Sequence, residues 1–268
     1  MTDIRHDPTT GRWTAIAPAR ATRPGGAQPA EDTPEACPFC AGHEERTPPE
    51  TLRLGGGPTG WDVRVVPNLY PALERQEVVI HGSAHTHSVG ELADSTIDLV
   101  AEAWQRRARD AGGICFALIN EGYASGSSQP HSHSQLAWLP AQPPAVAGER
   151  GLPDVIEVLT RDGVTAGCPV ASRVPYEVLI GPVQPEAGGL RSDLLAPALR
   201  LLAELVRRLQ AIRGERLVPL NVWLHDGPQW HLELFPRTTR LAGLELGAGV
   251  FIDSVAPEQA ARQLAERP

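Results

Sequence analysis

The same run of elements is written twice along this chain of 268 residues. In each half a helical apolar period sits among short strand patterns, a polar turn follows, and the last strands carry histidine. In the first half, residues 94–111 set Ile97, Val100, Ala101, Trp104, Ala108 and Ala111 on one face. Asp94 or Ser95 is available as the cap and Gly112-Gly113 as the stop. Strands are expected at 114–119 and 135–139, with a polar loop between them. In the second half, residues 195–212 repeat the helical period through Leu195, Leu199, Leu202, Val206 and Leu209. Pro197 is tolerable there only near the first turn, and Gly214 ends the helix. Strands are expected at 176–180, 220–224 and 231–235, with a turn at Asp226-Gly227-Pro228. A repeat of roughly a hundred residues is too long for a solenoid and implies two fused copies.

This order predicts an α+β fold, a mostly antiparallel sheet with helices packed against it. The division expected is an N-terminal half over 1–165 and a C-terminal half over 166–268. Ahead of the first helix, strands are read at 13–17, 61–66 and 77–80, and the Pro-, Gly- and Thr-rich segment 1–60 is otherwise extended. A net charge of −8 without a basic tail argues against nucleic acid as a partner and favours a small-molecule substrate. No apolar run reaches the length of a membrane span, and Met1-Thr2-Asp3-Ile4-Arg5-His6 lacks the shape of a signal peptide. The four cysteines (Cys37, Cys40, Cys115 and Cys168) do not form a disulfide framework, so a cytoplasmic location is expected.

The chemistry gathers in two places. His131 and His133, two apart in an extended strand, project to one face and can serve one site. Gly126-Ser127-Ser128-Gln129 before them supplies hydroxyls and open backbone N–H groups suited to phosphate oxygens. The second place is Cys37-Pro38-Phe39-Cys40, which is either a redox dithiol or half of a zinc site. The turn-rich residues after it favour the metal reading. His43, His81, His85, His87 and His131 all qualify as further ligands by type, and spacing does not choose among them. His225 and His231 read as satisfied structural histidines, and Glu149 as a surface glutamate.

Five segments in the right order resemble the galactose-1-phosphate uridylyltransferase branch of the histidine-triad superfamily, over nearly the whole chain. They are the opening Asp7-Pro8-Thr9-Thr10-Gly11-Arg12-Trp13 with residues 17–24, the cysteine knuckle, Val66-Pro67-Asn68-Leu69-Tyr70-Pro71-Ala72-Leu73, residues 120–135, and residues 242–252. The resemblance implies two histidine-triad-like halves sharing a half-barrel sheet, a homodimer, and one structural Zn2+ per chain held by Cys37, Cys40, His85 and His131. It implies His133 as the nucleophile toward the α-phosphorus of a nucleoside diphosphate sugar, with a sugar 1-phosphate as the second substrate. Ser128 resembles a phosphate contact. Gln135 stands where related hydrolases carry a third histidine, and an amide has no useful pKa for helping water attack. Arg20 and Arg23 resemble basic residues near the phosphates, and Asn68, Asn120 and Gly126 substrate-binding positions. Glu245 and Phe251 fall in a segment that helps bind the hexose, often from the partner subunit. Leu69 departs from the pattern, replacing an aspartate at a nucleoside contact. That departure keeps a second reading open, a phosphorylase passing the nucleotide of an ADP- or GDP-sugar to inorganic phosphate.

Overall fold

In the computed structural model, residues 3–22, 31–57, 60–149 and 151–267 are described. Strands β1 (Asp3–His6) and β2 (Trp13–Ile16) pair as a separate hairpin. The main strands of the first half are β3 (Leu52–Leu54), β4 (Val63–Pro67), β5 (Gln76–His81), β6 (Ile114–Glu121) and β7 (His133–Leu139). Those of the second are β8 (Val155–Arg161), β9 (Val164–Pro169), β10 (Val178–Pro182), β11 (Leu220–His225) and β12 (His231–Pro236). The helices are α1 (Asp94–Ala111), α2 (Pro144–Ala147), α3 (Leu195–Arg213), α4 (Gly243–Ala248) and α5 (Pro257–Glu266).

The ten main strands form one sheet in the order β3-β4-β5-β7-β6-β11-β12-β10-β9-β8. The order is palindromic: each strand of the first half has a counterpart at the same distance from the centre. Every pairing in the sheet is antiparallel. The two halves meet at β6 and β11, where Asn120 faces Asn221 and Leu118 faces Trp223. The α+β expectation is borne out.

Strand alternation then assigns the faces. β6 alternates without a break, with Cys115, Ala117, Ile119 and Glu121 buried beneath the helices. α1 and α3 pack on each other and on this face, and α5 covers β8 and β9. Trp104, Ile119, Leu136 and Leu202 lie in the resulting core, each fully buried. Burial of that kind stabilises by about 1.5–3 kcal/mol per large apolar side chain. β5 is buried on both faces, because a smaller cluster of Trp61, Val66, Val78 and Ile80 with Phe39 covers its other side. The cysteine knuckle is thereby seated on the face away from the helices, against the N-terminal half of the sheet.

Both long helices end where their glycines predict, and Gly214 takes the left-handed conformation with φ 65°. α1 starts differently: its N-cap is Ala93, with no side-chain cap, and Asp94 is already helical. The strand expected at 176–180 begins later, because Tyr176 sits at φ 62° and breaks the extended run. The β8–β9 hairpin and α5 extend beyond the sequence reading. Asp162 and Gly163, at φ 51° and 82°, join the hairpin in the doubly positive conformation that Asp-Gly favours. That dipeptide was a usable signal, obscured by a register irregularity between Glu157 and Leu159. Among the described residues no helix is long and apolar enough to cross a membrane.

Candidate active site and metal centre

β7 lies between β5 and β6, with Ile80 opposite His133 and Leu118 opposite Gln135. Its helix-facing residues are Ser134 and Leu136, so His133 and Gln135 face the other way. His133 opens the strand, 5% exposed, with Nδ1 2.9 Å from the carbonyl oxygen of His131. In the neutral ring this nitrogen donates to the carbonyl, and Nε2 carries the lone pair. The ring of Phe39 meets it edge-on, with centroids 5.4 Å apart. Gln135 accepts a hydrogen bond at Oε1 from the Gln76 amide, 2.6 Å away. Its own NH2 group is therefore the donor it can offer a ligand.

A cavity of about 250 Å³ opens over this pair, lined by Phe39, Thr47, Asn68, Ser128, His133 and Gln135 among others. Asn68 Oδ1 accepts from the Tyr70 backbone N–H at 2.9 Å, which shapes the turn at the cavity wall. Arg20 donates to the Tyr70 carbonyl at 2.7 Å and is tied to that turn. Gly126 precedes Ser127 and Ser128 at φ 88°, a left-handed position glycine reaches without strain. Arg23 lies outside the described residues. Asn120 is not in this cavity: its Oδ1 accepts from Asn221 at 2.6 Å across the seam, beside a second cavity reaching Trp223, His225 and Glu233. Glu245 caps its own helix by accepting from the Ala242 N–H at 2.9 Å, and Phe251 follows that helix half-exposed. Neither lines the cavity around His133. Nothing in the sequence marks Gln76, Phe39 or Thr47 as part of a site, since a strand-end glutamine and a knuckle phenylalanine carry no signal of their own.

Cys37, Cys40, His85 and His131 bring one ligand atom each to within 4.8 Å of one another. Cys37 Sγ is 3.5 Å from His131 Nδ1, and Cys40 Sγ is 3.2 Å from His85 Nδ1 and 3.7 Å from His131 Nδ1. Zinc bonds of ~2.3 Å to sulfur and ~2.0–2.1 Å to nitrogen at a tetrahedral angle require about 3.5 Å between such atoms. The donor set fits that ion. The far nitrogens are also engaged: His131 Nε2 donates to the Gly82 carbonyl at 3.1 Å, and His85 Nε2 lies 3.0 Å from Asp32. Such partners fix the tautomer that leaves Nδ1 as the ligand. Burial and the adjacent Cys37 push the Cys40 thiol up to about 12, a penalty a bound dication offsets by stabilising thiolate. Burial brings His131 down to about 4, which keeps it neutral and able to coordinate. His87 turns its Nε2 to Asp32 at 2.8 Å, and His43 its Nδ1 to the Cys37 carbonyl at 2.7 Å.

A second cluster corrects the sequence reading. Glu149, His225 and His231 also converge within 4.8 Å, a spacing that can hold a metal ion. Glu149 is no bystander on the surface, because its carboxyl group contacts His225 Nδ1 and stands 3.9 Å from His231. Burial, with His231 alongside, brings His225 down to about 3. These residues come from α2's trailing loop, β11 and β12, so their separation in sequence concealed them.

The profile described as galactose-1-phosphate uridyl transferase, N-terminal domain, matches residues 71–143. An ADP-glucose phosphorylase of Arabidopsis thaliana is 28% identical, covering 98% of this chain and 92% of that protein. A galactose-1-phosphate uridylyltransferase of Thermotoga maritima is 24% identical, covering 99% and 98%. The crystal structure of the Arabidopsis phosphorylase with bound ADP-glucose superposes with a TM-score of 0.78 at 25% identity, over 100% of this chain and 99% of that one. The chain is similar to the galactose-1-phosphate uridylyltransferase family, in this profile and in relatives that align over nearly its whole length. The segment matched to the uridylyltransferase profile holds His85, His131, His133 and Gln135, while Cys37 and Cys40 precede it. Family likeness and local geometry thus meet on β7 from independent directions.

Proposed function

We propose that the protein is a nucleotidyltransferase working through His133. The observation that carries this reading is a neutral imidazole anchored at Nδ1 by a backbone carbonyl, inside a cavity that also holds Ser128 and Gln135. Nε2 attacks the α-phosphorus of a nucleoside diphosphate sugar. A P–N bond forms, the bond to the bridging oxygen breaks, and sugar 1-phosphate leaves with the electron pair. In the return half a hexose 1-phosphate oxygen attacks phosphorus and the P–N electrons return to His133, giving ping-pong kinetics. Ser128 and the Gln135 NH2 donate to the non-bridging oxygens, where charge builds in the transition state. Arg20 and Arg23 balance the phosphate charge, and Asn68 and Gly126 border the nucleotide. Glu245 and Phe251 serve the sugar end, from the partner in a homodimer. Zn2+ at Cys37, Cys40, His85 and His131 supplies a fixed crosslink. That crosslink ties the knuckle to the residue two before the nucleophile.

The second reading, a phosphorylase using an ADP- or GDP-sugar and inorganic phosphate, draws on a specific feature. Leu69 stands 62% exposed at the cavity wall, at the position where the family resemblance implies an aspartate in contact with the nucleoside. The Arabidopsis relative is itself described as an ADP-glucose phosphorylase. Both readings share His133 chemistry. Incubation with a panel of labelled nucleoside diphosphate sugars, followed by denaturation, tests them together. Label retained by the wild type and lost in His133→Ala is the expected result, and the accepted base and acceptor then separate the two readings. A wild-type protein that takes label from no donor would defeat both.

A further inference from the structure

The face of β7 turned away from the site carries its own polar structure. Ser132 and Ser134 flank His133 in sequence, are 2% and 0% exposed, and project behind it. The ring of His81, at the end of β5 and 0% exposed, bridges them. Its Nδ1 is 3.0 Å from Ser132 Oγ and its Nε2 is 2.9 Å from Ser134 Oγ. Trp104 of α1 donates its indole N–H to Ser134 Oγ at 2.8 Å, and Ser132 Oγ stands 3.5 Å from Glu121 Oε1. Glu121 is anchored in turn by the Ser88 hydroxyl at 2.9 Å and by the Val89 N–H.

A fully buried ring bonded only through hydroxyls is neutral, so it has one N–H. With Glu121 ionised, one arrangement uses every hydrogen once. Trp104 donates to Ser134, Ser134 to His81 Nε2, His81 Nδ1–H to Ser132, and Ser132 to Glu121. The opposite tautomer sends two donors to Ser134 and none from Ser132 to Glu121. An apolar residue in this place would fill the volume with none of this bonding and would leave two buried hydroxyls short of partners.

Resting on His133 as the nucleophile, we infer that His81 is a positioning residue: by bracing the hydroxyls on either side of His133, it fixes the rotation of that strand segment and hence the aim of the imidazole. The physical lever is short. A misplacement of about 1 Å at a reacting atom costs on the order of 10²-fold in rate.

The test is single-turnover labelling of the zinc-loaded protein by the labelled nucleoside diphosphate sugar that wild type accepts. His81→Leu is expected to slow labelling by roughly 10–100-fold, with half-saturating donor concentration within about twofold. Ser132→Ala combined with Ser134→Ala should slow it comparably. Adding His81→Leu to that pair should slow it little further, because the residues act as one unit. Zinc content and thermal midpoint are read on each variant, with labelling done well below the midpoint. Labelling of His81→Leu at the wild-type rate, or effects that multiply, would overturn the inference while the labelled wild type upholds the nucleophile. An unlabelled wild type fails the nucleophile itself and takes the inference with it. If His81→Leu does not fold, the serine pair alone must show the loss. Imidazole 15N shifts of the unmodified protein must also report His81 as the Nδ1–H tautomer, and the Nε2–H tautomer would overturn the relay.

Discussion

His133 and His231 stand at equivalent points of the palindromic sheet, each opening its strand with Nδ1 toward the carbonyl two residues earlier, at 2.9 Å and 3.1 Å. What differs is the residue two further on. Beside His133 it is Gln135, whereas beside His231 it is Glu233, paired with Arg173 and 3.1 Å from His225. Glu149 adds a second carboxylate there. A phosphate approaching His231 meets negative charge, and the described residues lining the cavity around His133 include no carboxylate. Peptide mapping of the labelled protein should therefore find one site per chain, on the peptide holding His133. Label on a peptide holding His231 would contradict the asymmetry.

Gln135 should decide where the nucleotidyl group goes. Its Oε1 is taken by Gln76, so it binds phosphate oxygens as a donor and cannot accept a proton from water. Gln135→His introduces a base at that point, and such assistance contributes about 10²–10⁴-fold. With imperfect placement the expected gain in hydrolysis of the labelled enzyme is roughly 10–100-fold. The measurement is the ratio of free nucleoside monophosphate to transfer product. An unchanged ratio would mean that the amide has no part in excluding hydrolysis.

Loss of the metal should be felt as loss of stability more than as loss of binding. A ligand present at ~1,000 times its dissociation constant stabilises the folded state by about 4 kcal/mol. For a chain of this size that corresponds to roughly 8–16 °C in the melting midpoint. Cys40→Ser, or prolonged chelation of the wild type, is expected to release about one zinc per chain and lower the midpoint by that order. Elemental analysis with a thermal scan checks it. A chelated protein that melts where the loaded one does would remove the structural role.

The strands and helices that the sequence revealed are those whose burial follows one period. β6 alternates without a break, and α3 keeps Leu195, Leu199, Leu202, Val206 and Leu209 inside. The knuckle and His131 with His133 were visible because they lie close in sequence and carry chemistry in their residue types. Hidden were the contacts made by pairing across the sheet. Gln76 meets Gln135 over 59 positions, and His81 reaches Ser132 and Ser134 over 51 and 53. The meeting of His225 with His231 has the same origin, since the pairing of β11 with β12 sets them opposite each other, and Glu149 reaches them from the loop after α2. We propose that the palindromic order reflects two copies of one unit, the second opening at β8, the counterpart of β3, and so ahead of the 165/166 division expected from the sequence, which would cut β9.

Buried Glu121 should make stability fall with rising pH. Burial raises its carboxyl from 4.5 to about 7, despite the bonds from Val89 and Ser88 that favour the charged form. The folded state therefore holds a proton between those values that the unfolded chain releases. From this group stability is fully present below about pH 4.5, declines as pH rises toward 7, and is level above it. The whole change is about 3 kcal/mol, and the part between pH 5.5 and pH 8 is roughly 2 kcal/mol. Glu121→Gln cannot titrate, so its stability relative to wild type should rise by that amount across the interval. Urea unfolding of both proteins at the two pH values measures it directly, and other titrating groups cancel in the comparison. A gap between variant and wild type that is the same at both pH values would show that Glu121 stays ionised in the folded protein.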